Sequence, residues 1–374
     1  MAGNKVARSD DRGATWRAVS PDLTRQIDRD TIPVMGRLWG PDAVWKHVFT
    51  DQYGTATAFD ESPKALGLLY VGTDDGLVQV SENDGQAWRK VDNFPGVPEL
   101  TYVSDVHASP VDANTVFVAF NDYQRGNFKP YLLKSADRGR TWVSIAGNLP
   151  AGQPVWSVVQ DPVNPALLFA GMELGLFFTI DGGRQWTQLR GGAPTIAFRD
   201  LEIQNREGDL VAATFGRGFF ILDDFTPLRQ LKPEMLSREG VLFAPRRALA
   251  YNEIAYMRAG PGNDTTPNPA FGALLTYYLG QDAVGQIVLT IEDADGKTIR
   301  QIDGPAKAGF HRVTWDLRPP SPPPARPSGP GPLPPPPPPV RPGMYKVKLS
   351  KMVGGAATAL DEQTLAVVTL DNRL

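Results

Sequence analysis

A pattern of Ser/Thr-x-Asp-x-Gly-x-x-Trp recurs four times in the first half of this chain and restricts its folding more than any other feature. It reads SDDRGATW from Ser9 to Trp16, SENDGQAW from Ser81 to Trp88, SADRGRTW from Ser135 to Trp142 and TIDGGRQW from Thr179 to Trp186. In the second copy Asn83 stands where the others carry Asp11, Asp137 and Asp181. These residue types answer the needs of a tight hairpin: a short polar side chain that bonds neighbouring N–H groups, a glycine (Gly13, Gly85, Gly139, Gly183) that tolerates positive φ, and a tryptophan that folds back over the turn.

The flanks repeat as well. ATAFDESPKALGLLYVGTDDGLVQV precedes the second box and VVQDPVNPALLFAGMELGLFFTI the fourth, sharing an alternating apolar run, a Pro turn, a second run and a Gly turn at Gly76 or Gly175. The third box follows a similar stretch with a longer insertion. After the last box, AFRDLEIQNREGDLVAATFGRGFFILDD repeats the three runs without a box. Each unit is about four short strands. Box starts lie 72, 54 and 44 residues apart, near or above the roughly 40–50 residues of one propeller blade. The reading is an all-β chain whose residues 1–225 form propeller blades, with an opening half-unit that starts at an outer hairpin. Either the propeller is partial, its first blade continuing upstream, or a small ring closes with the Val6–Val19 hairpin completing the boxless last unit.

With these motifs the chain resembles the Asp-box (bacterial neuraminidase repeat) propellers. TDDGLVQVS, FKPYLLKSADRGRTW, SIAGNLP and DLVAATFGRGFFILDD are similar to bacterial sortilin-type, "glycosyl hydrolase-like" propeller proteins, and PNPAFGALLTYYL with the later WDL and PGMY resembles their accessory domain. The resemblance implies an Asp-box β-propeller and a secreted or periplasmic location, and brings no general activity with it. No apolar leader is visible at MAGNKVARSDDRG, and no run approaches the roughly 18 apolar residues of a membrane span.

After Asp224 the texture changes. Residues 226–270 read as a linker with a short helix in TPLRQLKPEMLSREG, and residues 271–374 as an immunoglobulin-like β-sandwich. Its expected strands are Ala273–Leu279, Gln286–Glu292, Thr298–Ile302, His311–Asp316, Met344–Leu349 and Leu365–Leu370. A Pro-rich segment, 319–342, reads as an extended surface loop or a docking motif for an aromatic groove.

A formal charge of −3 over 374 residues leaves no footprint for nucleic acid, and the lack of cysteine excludes thiolate chemistry. His47, His107 and His311 lack ligand spacing, so neither a metal nor any other cofactor is expected. The box residues Ser9, Asp11, Gly13, Trp16, Ser81, Asn83, Gly85, Trp88, Ser135, Asp137, Gly139, Trp142, Thr179, Asp181, Gly183 and Trp186 read as turn-makers. Ligand contacts are expected instead on the inner turns facing away from the boxes: Asp74, Asp75, Glu173 and Arg217, with Tyr123, Arg125 and Phe128 on the insertion. Trp39, Trp45 and His47 line a groove or fill a core gap, the tryptophans reading as core.

Catalysis is weighed against this. A sialidase needs an arginine cluster and a Tyr/Glu pair, and its Arg-Ile-Pro motif is missing here. A xyloglucan-type glucanase needs two carboxylates across a cleft, and 41 acidic residues offer many pairs. The expectation is a non-catalytic binding or scaffolding propeller for a protein, peptide or carbohydrate ligand, with a glycoside hydrolase as the alternative.

Overall fold

The structure is a computed structural model that describes residues 3–33, 35–40, 42–43, 53–251, 270–320 and 337–369. The chain divides into two compact units, Met1–Phe225 and Thr226–Leu374.

The first unit opens with a hairpin of β1 (Ala7–Arg8) and β2 (Arg17–Ala18). Blade 1 follows as β3 (Ala56–Glu61), β4 (Leu69–Thr73), β5 (Val78–Ser81) and β6 (Arg89–Val91). Blade 2 is β7 (Tyr102–Ala108), β8 (Val116–Asp122), β9 (Asn127–Ser135) and β10 (Val143–Ser144). Blade 3 is β11 (Val155–Gln160), β12 (Leu168–Met172), β13 (Gly175–Thr179) and β14 (Thr187–Leu189). Blade 4 is β15 (Phe198–Gln204), β16 (Asp209–Thr214) and β17 (Phe219–Leu222). Every blade is an antiparallel meander in chain order, the unit of a β-propeller.

Successive blades pack face to face. Tyr70, Val80, Val106, Val118 and Phe120 fill the seam between blades 1 and 2, and Phe117, Ala119, Leu132, Val158 and Met172 the seam between blades 2 and 3. Middle strands such as β4, β8 and β12 are buried on both faces, which is why YVGT and FAGM read as unbroken apolar runs rather than alternating ones. The glycines in those runs allow the close approach: a Cβ on Gly171 would lie 2.6 Å from Phe198 O of the next blade.

Each box makes the same hydrogen-bond set. The Ser/Thr hydroxyl accepts from the glycine N–H, at 2.6 Å for Gly13, 2.8 Å for Gly85 and Gly139, and 3.1 Å for Gly183. The Asp or Asn side chain accepts the N–H of the residue before the tryptophan, at 2.8 Å for Thr15 and Thr141, 2.9 Å for Ala87 and 3.0 Å for Gln185. Donation from the Thr15 and Thr141 hydroxyls, with the backbone donors, holds Asp11 at about 2 and Asp137 lower still. Two consecutive residues adopt positive φ, since Arg12, Asp84, Arg138 and Gly182 precede the glycines at 59°, 60°, 59° and 75°. The tryptophans of the last three boxes pack towards the preceding element: Trp88 donates to Val19 O, Trp142 meets Phe94, and Trp186 donates to Ile145 O, while Trp16 is exposed and donates to Gly13 O of its own turn.

The Val6–Val19 hairpin packs on Val71 of blade 1 and, among the described residues, its strands pair only with each other rather than with blade 4. Trp39 is 42 % exposed with Arg37 over its ring, not core; Trp45 and His47 lie outside the described residues.

The second unit comprises α1 (Thr226–Gln230), a 3-10 turn at Pro233–Ser237, β18 (Gly240–Leu242), β19 (Ala248–Ala250), β20 (Ala273–Leu279), β21 (Gln286–Glu292), β22 (Thr298–Gly304), β23 (Gly309–Trp315), β24 (Gly343–Val353) and β25 (Ala356–Thr369). Sheets β18-β20-β23 and β19-β25-β24-β21-β22 enclose Leu275, Tyr277, Leu289, Ile291, Trp315, Val347 and Leu349, an immunoglobulin-like sandwich. The expected linker is corrected here: residues 226–251 carry a helix and two strands of this sandwich, because VLF and ALA are short apolar runs that find cross-strand partners. Residues 252–269 lie outside the described residues, as does most of the Pro-rich segment (321–336).

Candidate functional site

The first strand of each blade carries a β-bulge at one equivalent position. Register slips by one residue at Thr57, Ser104, Trp156 and Arg199, and a bulge re-aims the side chain it displaces. In the first two blades the displaced residue ties neighbours together, Thr57 donating to Val103 O at 2.8 Å and Ser104 to Val155 O at 2.9 Å. In the last two the displaced pair stacks instead, with the Arg199 guanidinium 3.3 Å from the centroid of the Trp156 ring. A guanidinium over an indole face is a favourable cation–π contact.

Trp156 Nε1 donates to Glu173 Oε2 at 2.7 Å, and Arg199 Nη2 lies 3.8 Å from the same oxygen. Tyr123 meets the Trp156 ring at 5.6 Å and Phe215 receives Arg199 at 5.1 Å. Tyr123 and Phe215 are 41 % and 69 % exposed, so the cluster presents aromatic surface while its centre is fixed.

The 3-10 turn Tyr123–Arg125 links this platform to a cleft of about 740 Å³ lined by Tyr53, Asp74, Tyr102, Asn121, Asp122 and Arg125, among others. Asp74 accepts from Thr55 N at 2.8 Å, Thr55 Oγ1 at 2.9 Å and Gly54 N at 3.0 Å, yet burial pushes its carboxyl upward. Asp122 is ion-paired with Arg125 Nε at 2.5 Å and accepts from Asn127 Nδ2 at 3.0 Å. Burial also raises Tyr53 and Tyr102.

Tyr123, Asp74, Arg125 and Glu173 are therefore brought onto one groove, whereas other expected contacts are not. Asp75 is fully buried, accepting from Arg25 N at 2.6 Å and Thr73 Oγ1 at 2.5 Å, and is a structural latch rather than a ligand contact. Its neighbour Asp74 also spends its oxygens on backbone, which the acidic look of the turn conceals. Phe128 is exposed on β9, and Arg217 is exposed at the β16–β17 turn. Trp156, Arg199 and Phe215 escaped the sequence reading because they sit in or beside core strands. The available signal was the column Thr57, Ser104, Trp156, Arg199, where polar or bulky residues interrupt otherwise apolar first strands.

A second group lies on the same strands beyond the bulges. Asp60 accepts from Ala108 N at 2.7 Å, Asp105 from Val158 N at 2.8 Å, and His107 Nε2 from Gln160 N at 3.1 Å. Burial raises Asp60 to about 6 and Asp105 to about 7, and lowers His107 to about 4. Each clips its blade to the next. Among the described residues no cluster of three or more His, Asp or Glu is arranged to hold a metal, and no helix is long and apolar enough to cross a membrane.

No family model matches the chain. A Paenibacillus protein named xyloglucanase is 28 % identical over 160 residues, covering 39 % of this chain and 15 % of its own length. A probable oligoxyloglucan-reducing end-specific xyloglucanase of Neosartorya fischeri is 24 % identical over 196 residues, covering 37 % and 24 %. The chain thus spans under a quarter of either curated relative. Among solved structures, the GH74 xyloglucanase from Xanthomonas campestris is 16 % identical at TM-score 0.43, covering 96 % of this chain and 61 % of that one. YCF48 from Cyanidioschyzon merolae is 14 % identical at 0.34, covering 69 % and 95 %. The distant homologues are glycoside hydrolases; the blade architecture rests on the strand pairing above.

Proposed function

We propose that this propeller engages a polymeric glycan outside the cytoplasm, as part of a glycoside hydrolase acting on a xyloglucan-like β-glucan. The observation that carries the reading is the bulge-positioned Trp156–Arg199 stack, flanked by Tyr123 and Phe215 and continuous with a cleft holding two carboxylates. Flat aromatic faces suit the C–H faces of pyranose rings, and the cleft offers tyrosine hydroxyls and amides to their hydroxyls. The two curated relatives support hydrolysis over the binding-only function expected from sequence.

Hydrolysis requires one carboxyl that holds a proton and one that stays ionised. Asp74, raised by burial, is assigned the proton donor, and Asp122, ion-paired with Arg125, the second carboxylate. One observation favours binding without turnover: both carboxylates already accept hydrogen bonds from the protein. Incubation with xyloglucan oligosaccharides and unsubstituted β-glucan oligomers separates the readings. Product release by wild type, lost in Asp74→Asn and Asp122→Asn with binding retained, is the expected result. Binding without product overturns the hydrolase assignment, and no binding to either glycan overturns the site.

A further inference from the structure

One place recurs in every blade, at the end of the second strand and beside the bulge of the first. Backbone pairing puts Asp74, Asn121, Glu173 and Phe215 there in blades 1 to 4, opposite Thr55, Tyr102, Pro154 and Ala197. Three of these side chains are engaged by the protein. Asp74 accepts from Gly54 and Thr55, Glu173 accepts from Trp156 Nε1, and Phe215 receives the Arg199 guanidinium. Asn121 differs from them. It is 2 % exposed, and its Nδ2 has no hydrogen-bond partner.

The cause is local to blade 2. The β8–β9 register shifts at Asn121, between the Phe120–Tyr131 and Asp122–Asn127 pairs, whereas β4–β5, β12–β13 and β16–β17 keep an unbroken register. Such a shift takes a side chain out of its ladder position, and the Tyr123–Arg125 turn follows directly. Asn121 thereby lines the cleft together with Asp74 and Tyr102. A buried amide donor without an acceptor lowers stability, and a ligand that supplies the acceptor removes that deficit. The neighbours decide which acceptor fits. Arg125, the one cation among the described lining residues, is turned to Asp122, to Glu99 O and to Thr101 Oγ1. With Asp74 and Asp122 also lining the cleft, a ligand carboxylate would meet like charge, whereas an uncharged hydroxyl oxygen would not.

We propose that Asn121 is the specificity-determining residue of the groove: its Nδ2 donates to a hydroxyl oxygen of a sugar unit seated in the cleft, and it selects uncharged glycans over those built from uronic acids. This deepens the glycan reading above and rests on it. A site that holds an unpaired donor rejects ligands lacking the matching acceptor, because the donor then stays unpaired in the complex. Asn121 follows Asp74 and precedes Glu173 and Phe215 in the order of the blades, so the same column that carries the cleft carboxylate continues to the Trp156–Arg199 stack.

Calorimetric titration of the full chain with xyloglucan oligosaccharides and with oligogalacturonides of matching length tests it, alongside urea unfolding. Wild type should bind the uncharged oligosaccharides and not the oligogalacturonides. Asn121→Leu, close in shape and without the donor, should weaken binding about tenfold while its urea midpoint stays level or rises. Asn121→Ala, which adds no volume, carries the same binding test if the leucine variant does not fold. Affinity unchanged in the variant overturns the inference and leaves the glycan reading standing. A urea midpoint lowered in both variants shows an amide that holds the fold, and also overturns it. Oligogalacturonide bound as tightly by wild type overturns the selection for uncharged glycans. Wild type that binds neither ligand overturns the glycan reading and this inference with it.

Discussion

Replacing Asp105 by asparagine should change how stability depends on pH, with a sign opposite to the usual carboxylate. Asp105 lies on the first strand of blade 2, and its Oδ2 accepts the N–H of Val158 in blade 3. Burial pushes it up to about 7, against about 3.9 for an unperturbed aspartate. A group raised in the folded state favours folding while protonated, and that contribution disappears as pH rises from the unfolded value through the folded one. Each unit is worth about 1.4 kcal/mol, so between pH 5 and pH 8 wild type loses roughly 2–3 kcal/mol from this carboxyl alone. In Asp105→Asn the amide oxygen can still accept from Val158 N, and the ionisation cost is gone. Urea unfolding of both proteins at the two pH values, followed by tryptophan fluorescence, gives the difference directly. Asp105→Asn should be more stable than wild type at pH 8 by about 2–3 kcal/mol more than at pH 5. An equal difference at both pH values would refute the inference that this carboxyl is desolvated at the blade seam.

His107 should act in the reverse direction. Burial lowers it to about 4, so its protonation destabilises the fold progressively as pH falls from about 6.5 towards 4. His107→Gln should flatten that acid limb in the same urea titration, and an unchanged limb would count against it. Asp137→Ala removes the acceptor for Thr141 N, Arg140 N and the Thr141 hydroxyl and should cost about 2 kcal/mol, while leaving glycan binding unaltered by calorimetry. Gly171→Ala places a methyl against Phe198 O and should cost roughly 1–3 kcal/mol in a urea melt. Tyr123→Ala, at an exposed ring, should weaken oligosaccharide binding about tenfold, in line with loss of a contact worth about 1.4 kcal/mol, with unfolding unchanged.

The boxes were legible because turn chemistry is local: Ser9, Asp11 and Gly13 bond within the same eight residues, so sequence spacing is the geometry. The residue before each glycine was not, since Arg12, Asp84 and Arg138 accept positive φ only because the surrounding bonds enforce it. In the sandwich, Ala273–Leu279 and Gln286–Glu292 were visible in full as alternating strands. The β24–β25 hairpin was seen only in pieces, because its outer half, SKMVGGAATALDE, has little apolar alternation and is held by pairing with its partner strand. Short β18 and β19 exist only through tertiary partners, which no local propensity announces.

The groove was the least legible part, and the reason lies in the blade itself. Bulge residues alternate out of phase with their strand, so Trp156 looks like core in PVWSVV and Arg199 like a surface residue in FRDLE, although the two stack. The acidic turn Asp74-Asp75 looked like a ligand site because carboxylates are rarely buried. Asp75 is nevertheless taken by Arg25 and Thr73, whereas Asp74 lines the cleft while accepting from Gly54 and Thr55. A propeller turn must satisfy backbone donors wherever consecutive blades meet, and short acidic side chains do that best. Charge on an inner turn therefore reports first on blade closure. The aromatic surface open to a ligand is that of Tyr123 and Phe215, held by the stack of Arg199 on the buried Trp156 ring, which puts this cluster ahead of the acidic pair as a target for mutagenesis of binding.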